Sequence, residues 1–595
     1  MPRSSANWPA VADGSLLRRS GSTPSPTAPL TGVPLATAGT GTAVRLATRH
    51  LLALGCTAAP PRAAERSCGS AAGWLGLGGS GAPGVDCVID WAGPVRLPLA
   101  DEAGVQAACG ISAVHGRRYG RPTPLGIDYA SAAAGVLAVQ GLLAARYAGL
   151  HGHPVREVRT SVAGAALVTV GQYIAAATAD EAAEFEERAE PARAPGAVDG
   201  PGVDGSAVDG PGVDGPPFSS VDGVRFEIEA LEPGQWLAFW SRLGVDRRVI
   251  GRGWPPFQLR YATARCSLPT ELCAATAALP YHELAAAATA AGVGILPVRT
   301  GGPAGHPGPP WRIAPAPGAV GPPGPRGEQR AAGPPGPPGR PLDGVVVVEL
   351  TRRLQGPLAS RLLALLGARV VRVEPLGGDP LRGVPPMTGE VSARFHALNH
   401  GKQVVEADPR SPGGQRTIRE LVDTADVFLH NLAPGKAEAF GLGAERLLAE
   451  RPGLVHAWAS GWGEVFGAKA PFGTDYPVQA HSGLAALVTP PGRPAAPSLM
   501  TITDVFGGLI SAEAVLAALL ARTVTGRGQR VETSLWSAAV TLLDTVSPAG
   551  ASAAPAPSPA ARPATPAELA ADPRFADALH RDGCLLPRAP WEFHR

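Results

Sequence analysis

The side chain best placed to do chemistry is the carboxyl group of Asp504. Thr501, Ile502 and Thr503 precede it, and Val505, Leu509, Ala512, Leu516, Leu519 and Leu520 recur behind it at helical spacing. The pattern predicts Asp504 at the N-cap of a long helix, where first-turn amides would donate to its carboxylate and favour the ionised form. An anionic carboxylate held beside a thioester is a nucleophile, because a covalent intermediate divides one hard acyl transfer into easier steps. Read without chemistry, the same residue only starts a helix. Lys402 offers a point charge suited to a phosphate, and the turn at Asn431 offers amides. Both also read as solvated loop. His580, His594 and Cys584 are too scattered for a metal site, and no metal is expected.

The elements that must carry these residues lie after Pro341. Val345 to Leu350 is an unbroken β-branched and apolar run, as in a buried parallel strand. Gln355-Gly356-Pro357 makes a turn, residues 358–366 have helical apolar spacing that Gly367 can cap, and Arg369 to Val373 is a second strand ending at Glu374. Strand, helix, strand within so short a span is a βαβ unit. Further strands are expected near Val427–Leu429 and Leu454–Ala457. The resulting fold class is α/β, an open Rossmann-like parallel sheet whose ligands sit at the carboxyl ends of the strands.

The 595 residues allow several domains, and 45% apolar with 17% charged residues fits a globular protein with non-globular stretches. A net charge of +2 gives no reason to expect nucleic acid or an anionic membrane as partner. Seven cysteines, none in a CxxC pair, argue against a disulfide framework or a zinc ribbon and favour a reducing compartment. No signal-peptide-length apolar run opens the sequence, and no uncharged apolar stretch reads as a good membrane span, so a cytoplasmic protein is expected. Two low-complexity stretches, AVDGPGVDG repeats at 191–223 and GPPGP triplets at 306–341, read as linkers. They divide the chain into a loop-rich 1–85, a segment 86–190, a small domain 224–305, a large domain 342–548 and a tail 549–595.

An internal repeat crosses those linkers. ITDVFGGLISAEAVLAALLAR (502–522) can be laid on GIDYASAAAGVLAVQGLLAAR (126–146), pairing Asp504 with Asp128. DYPVQAHSGL matches EAGVQAACGI, pairing Asp475 with Glu102 and Gln479 with Gln106, and both copies reach a Thr-Ser (Thr533-Ser534, Thr160-Ser161). A weaker match joins LASRLLALLGA to LATRHLLALGC. No N-terminal counterpart of the Val345–Leu350 strand is evident.

From Leu342 to about Leu543 the chain resembles the family III CoA-transferases, the group that includes formyl-CoA, carnitine and bile-acid CoA-transferases. The resemblance rests on LDGVVVVEL…QGP, LLGARVVRVEP…GD, LNHGKQVVEAD, DVFLHNLAPGKAEAFGLG, DYPVQAHSG, TDVFGG and TGRGQRVETSLW. Residues 86–190 resemble a degraded second copy, and PGQW, PTELCAAT and GVGILPV within 224–300 resemble the family's small α+β domain. The resemblance implies transfer of coenzyme A from an acyl-CoA to a carboxylic acid, with Asp504 as the nucleophile that forms first an acyl anhydride and then an aspartyl-CoA thioester. It implies coenzyme A, a substrate rather than a permanently bound cofactor, lying against Leu354, Gln355, Asn399, Lys402, Asn431, Leu432, Ala433, Phe472, Thr474 and Asp475. Pro375 and Ala439 stand where a basic contact is usual. Family members are interlocked dimers, so either a homodimer or a single-chain pseudo-dimer is expected, with one complete site formed by 342–548 and 224–300. Two rivals share the fold: a racemase or epimerase, which would need a histidine where Thr474 stands, and an intramolecular CoA-transfer isomerase. A third reading is a catalytically inactive acyl-CoA-binding or scaffold protein.

Overall fold

The computed structural model describes residues 28–60, 71–78, 84–182, 215–302, 308–316, 340–467, 470–546 and 562–595. Most of both low-complexity stretches lies outside these residues.

Two sheets form the body. The N-terminal sheet contains β1 (Pro34–Ala38), β2 (Thr57–Ala58), β3 (Gly73–Leu77), β4 (Val85–Asp90) and β5 (Glu157–Ser161). A small antiparallel sheet follows, from β6 (Phe218–Ser219), β7 (Arg225–Glu229) and β8 (Gly294–Pro297), with helices between β7 and β8. β9 (Trp311–Pro315) precedes the C-terminal sheet of β10 (Val346–Leu350), β11 (Arg369–Glu374), β14 (Gln403–Glu406), β15 (Val427–His430), β16 (Val455–Ser460) and β17 (Gln529–Ser534). A short ribbon, β12 (Met387–Thr388) with β13 (Val391–Ser392), interrupts the series. The tail supplies a hairpin, β18 (Leu579–Asp582) and β19 (Cys584–Pro587), and a last strand, β20 (Glu592–His594).

The C-terminal sheet runs β14-β11-β10-β15-β16-β17-β9, parallel throughout except for β9. Its first six strands follow the doubly wound order 3-2-1-4-5-6, which opens a crevice where the order reverses, between the carboxyl ends of β10 and β15. Asn431 ties that crevice together, accepting from the Arg352 amide at 2.9 Å and donating to the Arg352 carbonyl at 2.8 Å.

Several boundaries differ from the sequence reading. Residues 1–27 of the stretch read as loop-rich lie outside the described residues, whereas the described residues 28–60 are not loop-rich: β1, the Thr42–Ala53 helix and β2 form a parallel strand-helix-strand unit, so the N-terminal sheet has a first strand after all. Few β-branched residues mark Pro34–Ala38, which hid it. The Pro/Gly stretch 306–341 contains β9, paired with β17, and the small sheet starts at Phe218 within the stretch read as a linker. The tail 549–595 supplies a strand to the N-terminal sheet, where β20 pairs with β5.

Two long helices, Tyr129–Leu150 and Ile502–Thr525, run side by side between the sheets. Both are long and apolar enough to cross a membrane by length and composition, and both are packed inside the protein, with 89% and 94% of their apolar windows buried. Glycines let their neighbours approach. A Cβ on Gly135 would lie 2.6 Å from the carbonyl oxygen of Ala43, and one on Gly508 would lie 2.9 Å from that of Gln355. Gly135→Ala is expected to cost about 1–3 kcal/mol through overpacking. A lowered midpoint of denaturant unfolding checks this, and an unchanged midpoint would contradict the close approach.

Candidate active site

Asp504 sits in the first turn of the Ile502–Thr525 helix, not at its N-cap. The cap is Thr501, held in the left-handed region at φ 56°, a position a β-branched residue rarely adopts. The amides at this helix end are satisfied from another element. Asp475, first residue of the Asp475–Ser482 helix, accepts from the Thr503 hydroxyl at 2.7 Å and the Asp504 amide at 2.8 Å. Gln479 donates to the same carboxylate and anchors itself on both the amide and the carbonyl of Ser498.

This arrangement reverses the expected electrostatics. Burial pushes the Asp504 carboxyl well above the usual carboxylate range, the Asp475 charge adds to that, Arg353 opposes it and Glu229 reinforces it. Burial also raises Asp475, to about 6, against its donors Thr503, Asp504 and Gln479. Because those donors favour its anion, Asp475 keeps the negative charge and Asp504 keeps the proton. Arg353 has φ 66°, so a second strained residue faces the site.

The small sheet reaches this site within the same chain. Glu229, at the end of β7, accepts a hydrogen bond from the Thr474 hydroxyl and another from Arg260 at 3.3 Å. The Arg260 guanidinium stacks 3.6 Å from the Phe257 ring centre and 4.6 Å from that of Tyr476, clamping small sheet to site helix by cation–π attraction. Phe472 packs beside Gly294 of β8. Glu229, Arg260, Arg353 and Thr503 were missed by sequence reasoning; only the alternating acids of RFEIE on β7 hint at one of them.

Leu354 and Gln355 are buried at the start of the Gln355–Leu365 helix. The Gln355 Nε2 is a buried donor without a partner, and it lies 3.1 Å from where a Cβ on Gly507 would be. Leu432 accepts from Trp458 Nε1 at 3.0 Å, and Ala433 lines a cavity of about 240 Å³ together with His430, Glu438, Trp458 and Glu532. Pro375 directly follows β11, and Ala439 ends the short Lys436–Ala439 helix.

Lys402 does not fit its expected role. Its side chain is fully buried, and all three protons are used, on Glu349 at 3.1 Å, the Pro357 carbonyl at 2.8 Å and Asn399 Oδ1 at 2.9 Å. Asn399 in turn donates to Phe395. Arg372 bridges Glu349, Glu374 and Asp379 in the same network. Lys402 and Asn399 therefore brace the sheet instead of presenting charge to a phosphate. Neither nearby histidine serves Asp504: His481 packs among Trp462, Phe466 and Trp536, and His400 pairs with Asp582.

The N-terminal half contains a second constellation of the same kind. Glu102 accepts from the Ala130 and Ser131 amides and the Ser131 hydroxyl, and Gln106 donates to Glu102 while bridging the Leu125 amide and the Ile127 carbonyl. Matching these bonds with those of Asp475 and Gln479 pairs Thr503 with Ala130 and Asp504 with Ser131. The helix starts Tyr129 and Ile502, 373 residues apart, keep the same spacing. Asp128 instead precedes its helix and accepts from Thr42. The pairing of Asp504 with Asp128 is thus three residues out of register.

Comparison with known proteins agrees with the motifs. Residues 342–571 match CoA-transferase family III. The chain is 36% identical over 204 residues to succinate–glutarate CoA-transferase of Agrobacterium fabrum, covering 33% of this chain and 51% of that protein. It is 35% identical to human succinyl-CoA:glutarate CoA-transferase (34% and 47% covered) and 34% identical to acetyl-CoA:oxalate CoA-transferase of Acetobacter aceti (34% and 53%). The chain spans about half the length of these relatives. A crystal structure of a CAIB/BAIF family protein from Brucella suis aligns at 36% identity with a TM-score of 0.33, covering 34% of this chain and 56% of that one.

Two outcomes follow from the geometry. Lys402→Met should cost about 3 kcal/mol, since it breaks a buried ion-pair network; denaturant unfolding measures it, and a surface phosphate ligand would leave the midpoint unmoved. Asp475→Asn removes a negative charge beside Asp504 and so lowers the Asp504 pKa. If ionised Asp504 is the active form, the acid limb of the pH–rate profile moves to lower pH in that variant, by about a unit or more, and an unmoved limb contradicts the coupling.

Proposed function

We propose that this chain, whose residues 342–571 form a CoA-transferase family III domain, transfers coenzyme A from an acyl-CoA to a carboxylic acid through Asp504. The observation that carries the reading is a partly buried carboxyl group in the first turn of a helix, coupled to a second carboxylate, with the unpaired Gln355 Nε2 beside Gly507 one turn further along. Asp504 reacts in its ionised form: once its proton has passed to solvent, its carboxylate attacks the thioester carbonyl, forming an acyl-aspartyl anhydride and releasing the CoA thiolate. The thiolate attacks the aspartyl carbonyl of the anhydride, giving an aspartyl-CoA thioester and the free donor acid. The acceptor carboxylate attacks that thioester and expels the thiolate again, and the thiolate takes the acceptor acyl group, restoring Asp504. Gln355 Nε2 is the donor suited to a carbonyl oxygen as it gains charge. Leu354, Asn431, Leu432, Ala433, Phe472, Thr474 and Asp475 are the residues we assign to the CoA cradle, and Lys402 and Asn399 hold its floor.

We further infer that the two halves derive from one ancestral unit and form a single-chain pseudo-dimer. The common spacing of Glu102/Asp475, Gln106/Gln479 and the capping serines Ser161/Ser534 supports this. So do β9 and β20, each with a Pro-Trp pair at its start (Pro310-Trp311, Pro590-Trp591) and each antiparallel to β17 or β5. The N-terminal half has Ser131 where the nucleophile should be, and the small sheet serves the Asp504 site. One site per chain results. A cytoplasmic setting suits the buried thiols of Cys56, Cys87, Cys109, Cys266 and Cys584.

Incubation with acyl-CoA and hydroxylamine, followed by peptide mass spectrometry, should yield a hydroxamate at Asp504. Asp504→Asn should lower transfer at least about 10³-fold, as loss of a nucleophile does. Ser131→Ala and Asp128→Asn should stay within about twofold of the parent, since neither touches the reacting atoms. Equal losses at 128 and 504 would defeat the one-site reading, and α-hydrogen exchange without transfer would favour a racemase.

A further inference from the structure

We propose that His396, His400 and Asp582 form a binding site for one divalent transition-metal ion, such as Zn²⁺, that staples the C-terminal hairpin to the large domain. His396 lies on the Ala393–Asn399 helix and His400 caps its end, so the two imidazoles are four residues apart and share one side. Their ring centres are 4.9 Å apart. Asp582, the last residue of β18, reaches both, with Oδ2 at 3.3 Å from His396 Nε2 and 2.7 Å from His400 Nδ1. All three donor atoms lie within 4.8 Å of one another. Tetrahedral zinc with bonds of about 2.0–2.1 Å holds its ligand atoms about 3.3 Å apart, so small rotations of these side chains would enclose an ion.

A second observation points to a missing partner. His396 Nε2 is shielded from solvent and makes no hydrogen bond, although it faces the carboxylate. A buried nitrogen lone pair beside a carboxylate oxygen is unfavourable without a cation or proton between them. Two imidazoles and one carboxylate suit Zn²⁺, Co²⁺ or Ni²⁺ rather than Mg²⁺ or Ca²⁺, which prefer oxygen alone. The fourth position is left for water, with His580 on the same face of β18 as the nearest alternative. Arg361 donates to the His400 carbonyl at 2.8 Å, so its positive charge is a cost that Asp582 offsets.

The placement gives the ion a structural purpose. Cys584 and Leu586 of β19 pack with Ala175 and Ala179 of the N-terminal half and Ala393 of the C-terminal half. The hairpin is thus a wedge between the halves, and the ion would fix its remaining side. Sequence reading could not find this site, because its acid and its histidines come from segments far apart in the chain.

The test uses untagged full-length protein stripped with a chelator and titrated with Zn²⁺ by calorimetry and with Co²⁺ by visible absorption. The expected result is one ion per chain, with affinity weakened at least 10-fold by His400→Ala and by Asp582→Asn, and unchanged by His594→Ala. The unfolding temperature of the parent should rise with Zn²⁺, and that of the variants should not. Absence of one-to-one binding in the parent, parental affinity in both variants, or a cobalt–thiolate band placing the ion at a cysteine would each overturn the proposal. Should His400→Ala fail to fold, Asp582→Asn, at a 43% exposed side chain, decides alone.

Discussion

Burying two long helices against each other imposes a demand that shapes the rest of the molecule. A helix end cut off from water leaves its first amides without partners, and each orphan costs about 1–3 kcal/mol. Here the amides of both helices are met by a carboxylate from a preceding helix, Glu102 in one half and Asp475 in the other. Each carboxylate is steadied by a glutamine one turn later. Helix packing therefore dictates an anion at this spot. In the C-terminal half an acid, Asp504, stands where the other half has a serine. That single difference converts a capping device into a pair of coupled carboxyls.

The coupling also explains why the site needs the small sheet. Two acids in a buried place resist ionising together, and the neighbouring Arg353 only partly relieves them. Glu229 adds a third acid, but it is tied to Arg260 and to the Thr474 hydroxyl. The Arg260 stack on Tyr476 then fixes the residue next to Asp475. Charge placement and domain placement are solved by the same contacts.

Legibility in the sequence followed side-chain distinctiveness. The runs VVVVEL, RVVRVE and VFLH announced the C-terminal sheet because parallel strands buried on both faces need such residues. PLATA and the Gly-rich GWLGL gave no such signal, yet they form β1 and β3. Moreover β3 runs antiparallel to both of its neighbours, where the C-terminal sheet has parallel strands. The sequence left the register of the proposed repeat open: helices of Ala, Gly and Leu slide past each other in alignment, and an Asp on Asp looked like the better match. Hydrogen bonds, which sequence does not display, fixed the pairing. Lys402 failed for a related reason, since nothing in LNHGKQ reveals that Glu349 and Pro357 occupy all its protons.

The pairing of β20 with β5 ties the maturation of one half to the synthesis of the other. β5 is an interior strand only when residues 592–594 cover it, and Trp591 seats its indole on the Leu137 carbonyl, 454 residues earlier in the chain. While the ribosome is still making the segments between, the N-terminal sheet carries a bare edge able to recruit stray strands. Folding here closes a circle, in which a strand made late seals an edge that strands made early leave open.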